Sequence, residues 1–322
     1  MSELLRPKLP VKPRNVLVLM GGWSAEREVS LSSGQGVMRA LKALGHSAES
    51  FDPPRDVLAL AQGIQASFNH QGPDIIFNIL HGHEVEDGIL QGVLNLMGIP
   101  YTFSGVLGSS LAMNKGVARD IVGSCGVRCP EGEVLSVSQY KTTPWTFFPH
   151  VMKPLTEGST VGVQMVSSFA EQVSLADAWT YGDQVLVERY IPGREIQVAV
   201  FGGVATGALE ITFKGPIFSY EAKYTEGKAQ HLCPAPVPPE VYQDVLKMAE
   251  TAYRALRCSG VVRSDFRYDD TVKDPGVLYF LETNTQPGMT SLSIVPDIMK
   301  TQGWSYEDVV QWIIEDASCP KP

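Results

Sequence analysis

Three residues near the C-terminal end of the 322-residue chain, with an arginine beside them, have the types and spacing to hold a divalent cation. Arg263 and Asp265 stand two apart in one apolar run, and Glu282 and Asn284 two apart in the next. In an extended chain each pair therefore projects from one face. The tight polar connection from Asp269 to Pro275 makes the two runs antiparallel neighbours. Asp265, Glu282 and Asn284 then offer three hard oxygen donors beside a guanidinium, a set that suits Mg²⁺ completed by water and nucleotide phosphates. The same pattern also fits a solvated sheet face carrying an ion pair.

Three further segments could do chemistry. Immediately after Asn284, the turn Thr285–Thr290 (TQPGMT) places the Gly288 amide where it could face an anionic reaction centre, although a proline-glycine turn is more often only a turn. The run Lys153–Gly162 (KPLTEGSTVG) opens on a lysine at the end of an apolar stretch. Its amides and hydroxyls could wrap phosphate oxygens around the Lys153 charge, or it could be a plain hairpin loop. It is not a Walker A loop, because the lysine precedes the glycines. Finally, Gly21–Ser30 (GGWSAEREVS) is a glycine turn leading into a helix, but it lacks G-x-G-x-x-G, and Glu26 at the helix start would repel a phosphate. A carboxylate there fits a substrate ammonium. The segment His81–Gly88 (HGHEVEDG) sets two histidines near three acids. With one residue between the histidines and no third histidine or cysteine, it reads as a loop in which one histidine contacts substrate rather than as a zinc site.

The elements that must position these residues can be read from periodicity. Asn15–Met20 is a short buried strand, followed by a helix with Leu31, Val37, Met38, Leu41 and Leu44 on one face and ended by Gly45. A second buried strand, Asp74–Leu80, leads to a helix over Ile89–Met97, so the first third alternates strand and helix as an α/β layer with parallel strands. The middle is more hairpin-like: strands at Phe147–Lys153 and Gly162–Val166 and a helix over Ser168–Tyr181. Then come strands at Val185–Tyr190, Glu195–Phe201 and Val204–Ile211, and a polar, proline-rich stretch from Phe218 to Pro239, long enough to be a functional loop. A helix over Glu240–Leu256 precedes the strands Gly260–Tyr268 and Gly276–Thr283, and two helices close the chain. The length suits two or three smaller domains sharing clefts.

Composition narrows the function. With 44% hydrophobic and 19% charged residues the chain is of globular type. The net charge of −9 gives no general attraction to nucleic acid or an anionic membrane, so a polyanion must be held by a few placed cations. The five cysteines are odd in number and their only close pair, Cys125 and Cys129, lacks a second pair for zinc, which points to reduced thiols. Residues 1–14 contain no apolar run for a signal peptide or membrane span, so a cytoplasmic protein is expected.

The ordered set GGWSAEREVSLSSG, HG....EDG, LQGVLNLMGIPYTFSG, MNK, KP..EGST.GV, YEAKY and LETNTQPGMTSLS resembles the D-alanine:D-alanine ligases, from about Asn15 to Ile314. The resemblance implies an α/β, three-lobed ATP-grasp fold, with nucleotide held between central and C-terminal α+β lobes. The lobes expected are an N-terminal parallel α/β substrate domain over 1–104, a central lobe over 105–187 and a catalytic lobe over 188–322. It implies ATP and D-alanine as substrates and two Mg²⁺ ions on Asp265, Glu282 and Asn284, with Mn²⁺ able to substitute. It also implies a homodimer, with no nucleic acid or membrane partner. By the same resemblance Lys115 and Lys153 bind phosphates, Ser159 and Thr160 lie in the loop over them, Glu188 and Ile191 hold adenine, and Glu195 holds ribose. Glu26 and His81 hold the first D-alanine, Ser293 and Lys223 anchor the second substrate's carboxylate, and Arg263 with the Gly288 amide stabilises the oxyanion. Tyr224 locks its loop by bonding to Ser159 and Glu26.

One departure stands out: the family is usually glycine-rich after His81-Gly82, where this chain has Glu84 and Val85. Backbone freedom is reduced there, and an extra carboxylate is expected near the first substrate. Other readings are an ATP-grasp ligase acting on a different amino or hydroxy acid, and a nucleotide-binding relative without turnover, which the intact set of Arg263, Asp265, Glu282, Asn284 and both lysines argues against.

Overall fold

The computed structural model describes residues 6–7, 12–215, 218, 227–272, 274–290 and 292–321. Its architecture is built on three sheets. The first is parallel, in the order β2-β1-β3, from β1 (Asn15–Leu19), β2 (Ser47–Phe51) and β3 (Ile75–Asn78). Helix α1 (Arg27–Ala43) connects β1 to β2, α2 (Val57–His70) connects β2 to β3, and α3 (Ile89–Met97) follows. Val37 and Leu41 of α1 are fully buried, and Gly45, just beyond its end, is left-handed at φ +84°, as a helix stop requires.

Helices α4 (Val106–Met113) and α5 (Lys115–Ser124) lead to the second sheet, β4-β7-β5-β6. Its strands are β4 (Gly132–Ser136), β5 (His150–Lys153), β6 (Gln164–Val166) and β7 (Gln184–Arg189), all antiparallel, with α6 (Val137–Thr142) and α7 (Phe169–Asp177) against them. A small core of Tyr140, Met152, Val166, Val185 and Val187 holds this lobe together.

The third sheet is antiparallel, in the order β10-β9-β8-β11-β12. It comprises β8 (Arg194–Phe201), β9 (Val204–Phe213), β10 (Ala229–Leu232), β11 (Val261–Asp269) and β12 (Val277–Asn284). Helix α8 (Pro239–Ala255) covers one face together with α4 and α5, around Ile196, Val198, Val245 and Phe280. The other face joins a core with α9 (Ile294–Thr301), α10 (Tyr306–Glu315) and α1, where Leu209, Ile298, Val310 and Val37 meet. Both ends of the chain therefore share one core, and the first parallel sheet is fixed against the sheet that carries the carboxylates.

The strands and helices read from sequence are all present, with ends displaced by a few residues. The 218–239 stretch contains the short edge strand β10, which the sequence reading did not separate from the loop. Strand β2 (SAESF) was not visible as a strand because its residues are polar and mostly exposed. Among the described residues no helix is long and apolar enough to cross a membrane. The five cysteines are all free.

Candidate active site

The pairing of β11 with β12 decides where the carboxylates go. Asp265 lies opposite Glu282, and Arg263 opposite Asn284, so all four side chains occupy one face. The register shifts between Asp265 and Phe266, leaving Leu281 as an extra residue on β12. Without that bulge Phe280 would share the face of Glu282. With it, Phe280 turns to the other side and meets the Phe266 ring edge to face at 5.7 Å in the core. A polar site and an apolar core are thus served by neighbouring residues of the same two strands.

Arg263 grips Asp265 through two bonds, Nε to Oδ1 at 2.7 Å and a terminal nitrogen to Oδ2 at 2.9 Å. Lys115, at the start of α5, places Nζ 3.2 Å from Glu282 Oε2 and donates to the Glu157 carbonyl at 2.6 Å. On the middle sheet Lys153 Nζ lies 2.5 Å from Oε2 of the buried Glu188, whose other oxygen is 3.5 Å from Arg119 Nε. Arg267, which the sequence reading passed over, donates to the carbonyls of Ile191 at 3.1 Å and Gly193 at 2.9 Å and lies 3.8 Å from Glu195. It thereby fixes the connection between β7 and β8 that carries Ile191.

Ser159 and Thr160 sit in the loop between β5 and β6 with φ of +49° and +64°, a left-handed backbone that costs non-glycine residues about 1 kcal/mol or more each. Their hydroxyls show what holds them. Ser159 Oγ donates to Glu26 Oε1, and Thr160 Oγ1 donates to the Phe218 carbonyl at 2.9 Å. Glu26 is the residue before α1, yet its side chain makes no cap bond to that helix. It points across to the middle lobe.

His81 is buried with Nδ1 3.2 Å from Glu86 Oε1, while Nε2 is buried without a hydrogen-bond partner among the described residues and the residue lines the main cavity. Burial alone would lower the His81 pKa, but pairing with Glu86 and the nearby Glu26 outweigh it and raise it. Burial likewise raises the Glu86 carboxyl, which also accepts the Gly82 amide at 2.6 Å. Glu86 belongs to the HGHEVEDG segment, but nothing in the spacing there marks it as the residue that orients His81. Glu84 adopts φ +72° and turns away from the cavity, where Arg55 meets its carboxylate at 2.7 and 2.5 Å and holds its pKa below the usual range. Val85 enters the apolar core at 2% exposure. The extra carboxylate expected near the first substrate is therefore neutralised outside the cavity.

Two cavities result. The larger, about 430 Å³, brings together Glu26, His81, Ser159 and Lys115 from the first half of the chain with Arg263, Glu282, Asn284, Gly288 and Ser293 from the second. The smaller, about 110 Å³, is lined by Lys153, Thr160, Glu188, Ile191, Glu195 and Asp265. Lys115, Glu157, Phe218 and Glu282 border both. At Gly288 an added Cβ would come within 3.0 Å of Ser293 Oγ, so glycine allows this close approach. Ser293 Oγ accepts from the Thr290 amide at 2.9 Å, which fixes the turn ahead of α9. Lys223 and Tyr224 lie outside the described residues.

The donor set fits Mg²⁺. Two carboxylates in adjacent strands and the Asn284 carbonyl oxygen are hard ligands. Among the described residues no group of three or more histidine, cysteine, aspartate or glutamate side chains forms a cage. A few carboxylates completed by phosphate oxygens is how Mg²⁺ is usually held beside a nucleotide.

Comparison with known proteins agrees with this geometry. The family profile of the D-Ala-D-Ala ligase C-terminus matches residues 132–315. The D-alanine–D-alanine ligase of Afipia carboxidovorans is 44% identical over 308 residues, covering 95% of this chain and 98% of that protein. Among solved structures, the D-alanine–D-alanine ligase of Bacillus anthracis complexed with ATP matches with a TM-score of 0.77 at 28% identity, covering 94% of this chain and 97% of that one. The VanG D-Ala:D-Ser ligase of Enterococcus faecalis matches with a TM-score of 0.78 at 26% identity, covering 94% and 99%. With its expected α/β lobes and both cavities in place, the chain belongs to the D-alanine–D-alanine ligase family.

Proposed function

We propose that this protein is an ATP-dependent ligase that joins two D-alanine molecules to D-alanyl-D-alanine through a D-alanyl phosphate, releasing ADP and phosphate for peptidoglycan precursor synthesis. The observation that carries this reading is the large cavity, in which an ammonium-binding carboxylate (Glu26), cation ligands (Glu282 and Asn284) and an oxyanion site (Arg263 and the Gly288 turn) face common space, while Asp265, opposite Glu282 on the adjoining strand, lines the smaller cavity that Glu282 also borders. D-serine is named for the VanG relative, which is 26% identical, against 44% for the Afipia carboxidovorans D-alanine–D-alanine ligase.

A carboxylate does not accept an amine directly, because oxide is too poor a leaving group. In this reading adenine lies against Ile191 and Glu188, ribose against Glu195, and the phosphates between Lys115 and Lys153 under Ser159 and Thr160. His81 and Glu26 hold the first D-alanine so that its carboxylate faces the γ-phosphate. Asp265, Glu282 and Asn284 would hold two Mg²⁺ ions, replaceable by Mn²⁺, whose charge would offset that of the phosphates. The lysines hold the transferring phosphoryl group in line. Ser293 and Lys223 anchor the second D-alanine's carboxylate and aim its amine at the acyl phosphate. Arg263 and the Gly288 amide then meet the oxygen that becomes negative, and phosphate departs. Tyr224 ties its loop to Ser159 and Glu26.

We place the enzyme in the cytoplasm as a homodimer, with lobes divided near 104/105 and 187/188. Its net charge of −9 leaves nucleic acid and anionic membranes without attraction. ADP release measured with D-alanine, D-serine, L-alanine and D-lactate, alone and in pairs, tests the reading. Turnover with D-alanine alone and a dipeptide product is expected. ATP turnover only with another acceptor would refute it.

A further inference from the structure

Strand order places one more oxygen beside the two carboxylates. Gln197 of β8 lies directly opposite Asp265 of β11, which in turn lies opposite Glu282 of β12. Residues facing one another across antiparallel strands project to the same side, with Cβ atoms roughly 5 Å apart. Gln197, Asp265 and Glu282 therefore form a single row across three strands.

Gln197 has no exposed surface, and its Oε1 is buried without a hydrogen-bond partner among the described residues, yet the residue lines the large cavity. Its orientation is fixed by chemistry. Nε2 donates to Glu195 Oε1 at 3.2 Å, and because a carboxylate only accepts, the amide nitrogen must face Glu195 and the oxygen must face away. A buried acceptor left unpaired loses its hydration without return, so one at a cavity wall calls for a partner supplied from the cavity. The donors that a hydrated cation offers are its bound waters. Mg²⁺ keeps several of them, and groups that accept from such waters tune its affinity.

We propose that Gln197 Oε1 is a further oxygen of the cation site, accepting a hydrogen bond from a water on the ion held by Asp265 and Glu282. This rests on the assignment of those two residues as cation ligands. It deepens that assignment by naming a positioning group on a third strand.

The test is Mn²⁺ binding to the protein with ADP, followed by the electron paramagnetic resonance of free Mn²⁺, beside ADP binding in EDTA. Gln197→Met removes the oxygen at similar size and should weaken Mn²⁺ by about 10- to 100-fold, with metal-free ADP binding unchanged. Gln197→Glu keeps an oxygen but loses the donor to Glu195, and should hold Mn²⁺ within about threefold of the parent or tighter. A residue needed only for its bond to Glu195 would give the opposite order, and that result overturns the proposal. So does Mn²⁺ affinity retained in Gln197→Met, or an equal loss of ADP binding in EDTA, which would assign the amide to the nucleotide. If Gln197→Met fails to fold, Gln197→Ala replaces it with the same expectation. Glu282→Gln separates the two layers. Loss of Mn²⁺ there with retention in Gln197→Met refutes only this inference, whereas retention in Glu282→Gln removes the ligand assignment and the inference with it.

Discussion

Replacing Glu282 with glutamine probes the site with little disturbance to the fold. The side chains are isosteric, and Glu282 keeps 29% of its side-chain surface exposed, so its 3.2 Å pair with Lys115 is screened. Such a pair contributes no more than about 1 kcal/mol, which in a chain of this size lowers the melting temperature by less than about 4 °C. Asp265 keeps its two bonds to Arg263, so the neighbouring ligand stays in place. The charge that would neutralise phosphate is lost, however. A cation's stabilisation of phosphoryl transfer is worth several kcal/mol, and losing about 4 kcal/mol slows turnover roughly a thousandfold. Glu282→Gln is therefore expected to melt close to the parent protein and to release ADP about a thousandfold more slowly at saturating Mg²⁺ and D-alanine. A folded Glu282→Gln protein with kcat within about tenfold of the parent would refute the reasoning.

Lys153→Met leaves Glu188, 2% exposed, without its 2.5 Å partner, and is expected to cost about 3 kcal/mol, the low end for breaking a buried pair because Arg119 remains at 3.5 Å; a urea melt checks it, alongside a raised KM for ATP. In Glu84→Gly the left-handed backbone suits glycine and the lost carboxylate never faced the cavity, so the KM for D-alanine should stay within about twofold by steady-state kinetics. The raised pKa of His81 means that the folded state holds its proton more readily than the unfolded chain. That contribution is full below the ordinary histidine value of 6.5 and is lost as pH rises through the raised one. Melting temperature from about pH 6 to about pH 9 should therefore fall more steeply in the parent than in Glu86→Gln. From a D-alanine and D-lactate mixture near neutral pH, chromatography should show almost only dipeptide from the parent and added depsipeptide from Tyr224→Phe, since the hydroxyl assigned to locking the loop is removed.

What could be read from sequence divides along physical lines. The strands β11 and β12 and their four site residues were legible because period two acts over neighbouring positions and the tight connection leaves only one pairing. Which face Phe280 takes was not, because the bulge at Leu281 reverses the phase and no composition signal marks it. Gln197 stood in plain view two residues after Glu195 in an apolar strand. Its meaning depends on β8 lying beside β11, a neighbour relation set by the packing of the whole sheet. The bond of Ser159 to Glu26 spans 133 residues and is not legible in the sequence; the family resemblance implies only that Tyr224 bonds to each of the two. Helices α4 and α5 were missed as elements, and they pack on the third sheet although they lie within the expected central lobe. Lys115, at the start of α5, can therefore border both cavities while the phosphate loop belongs to the middle sheet. The Glu84 departure follows the same logic. A sequence shows that a charge has replaced glycine. Only the left-handed turn at Glu84 and the position of Arg55 show that the charge leaves the cavity and that Val85 fills core instead.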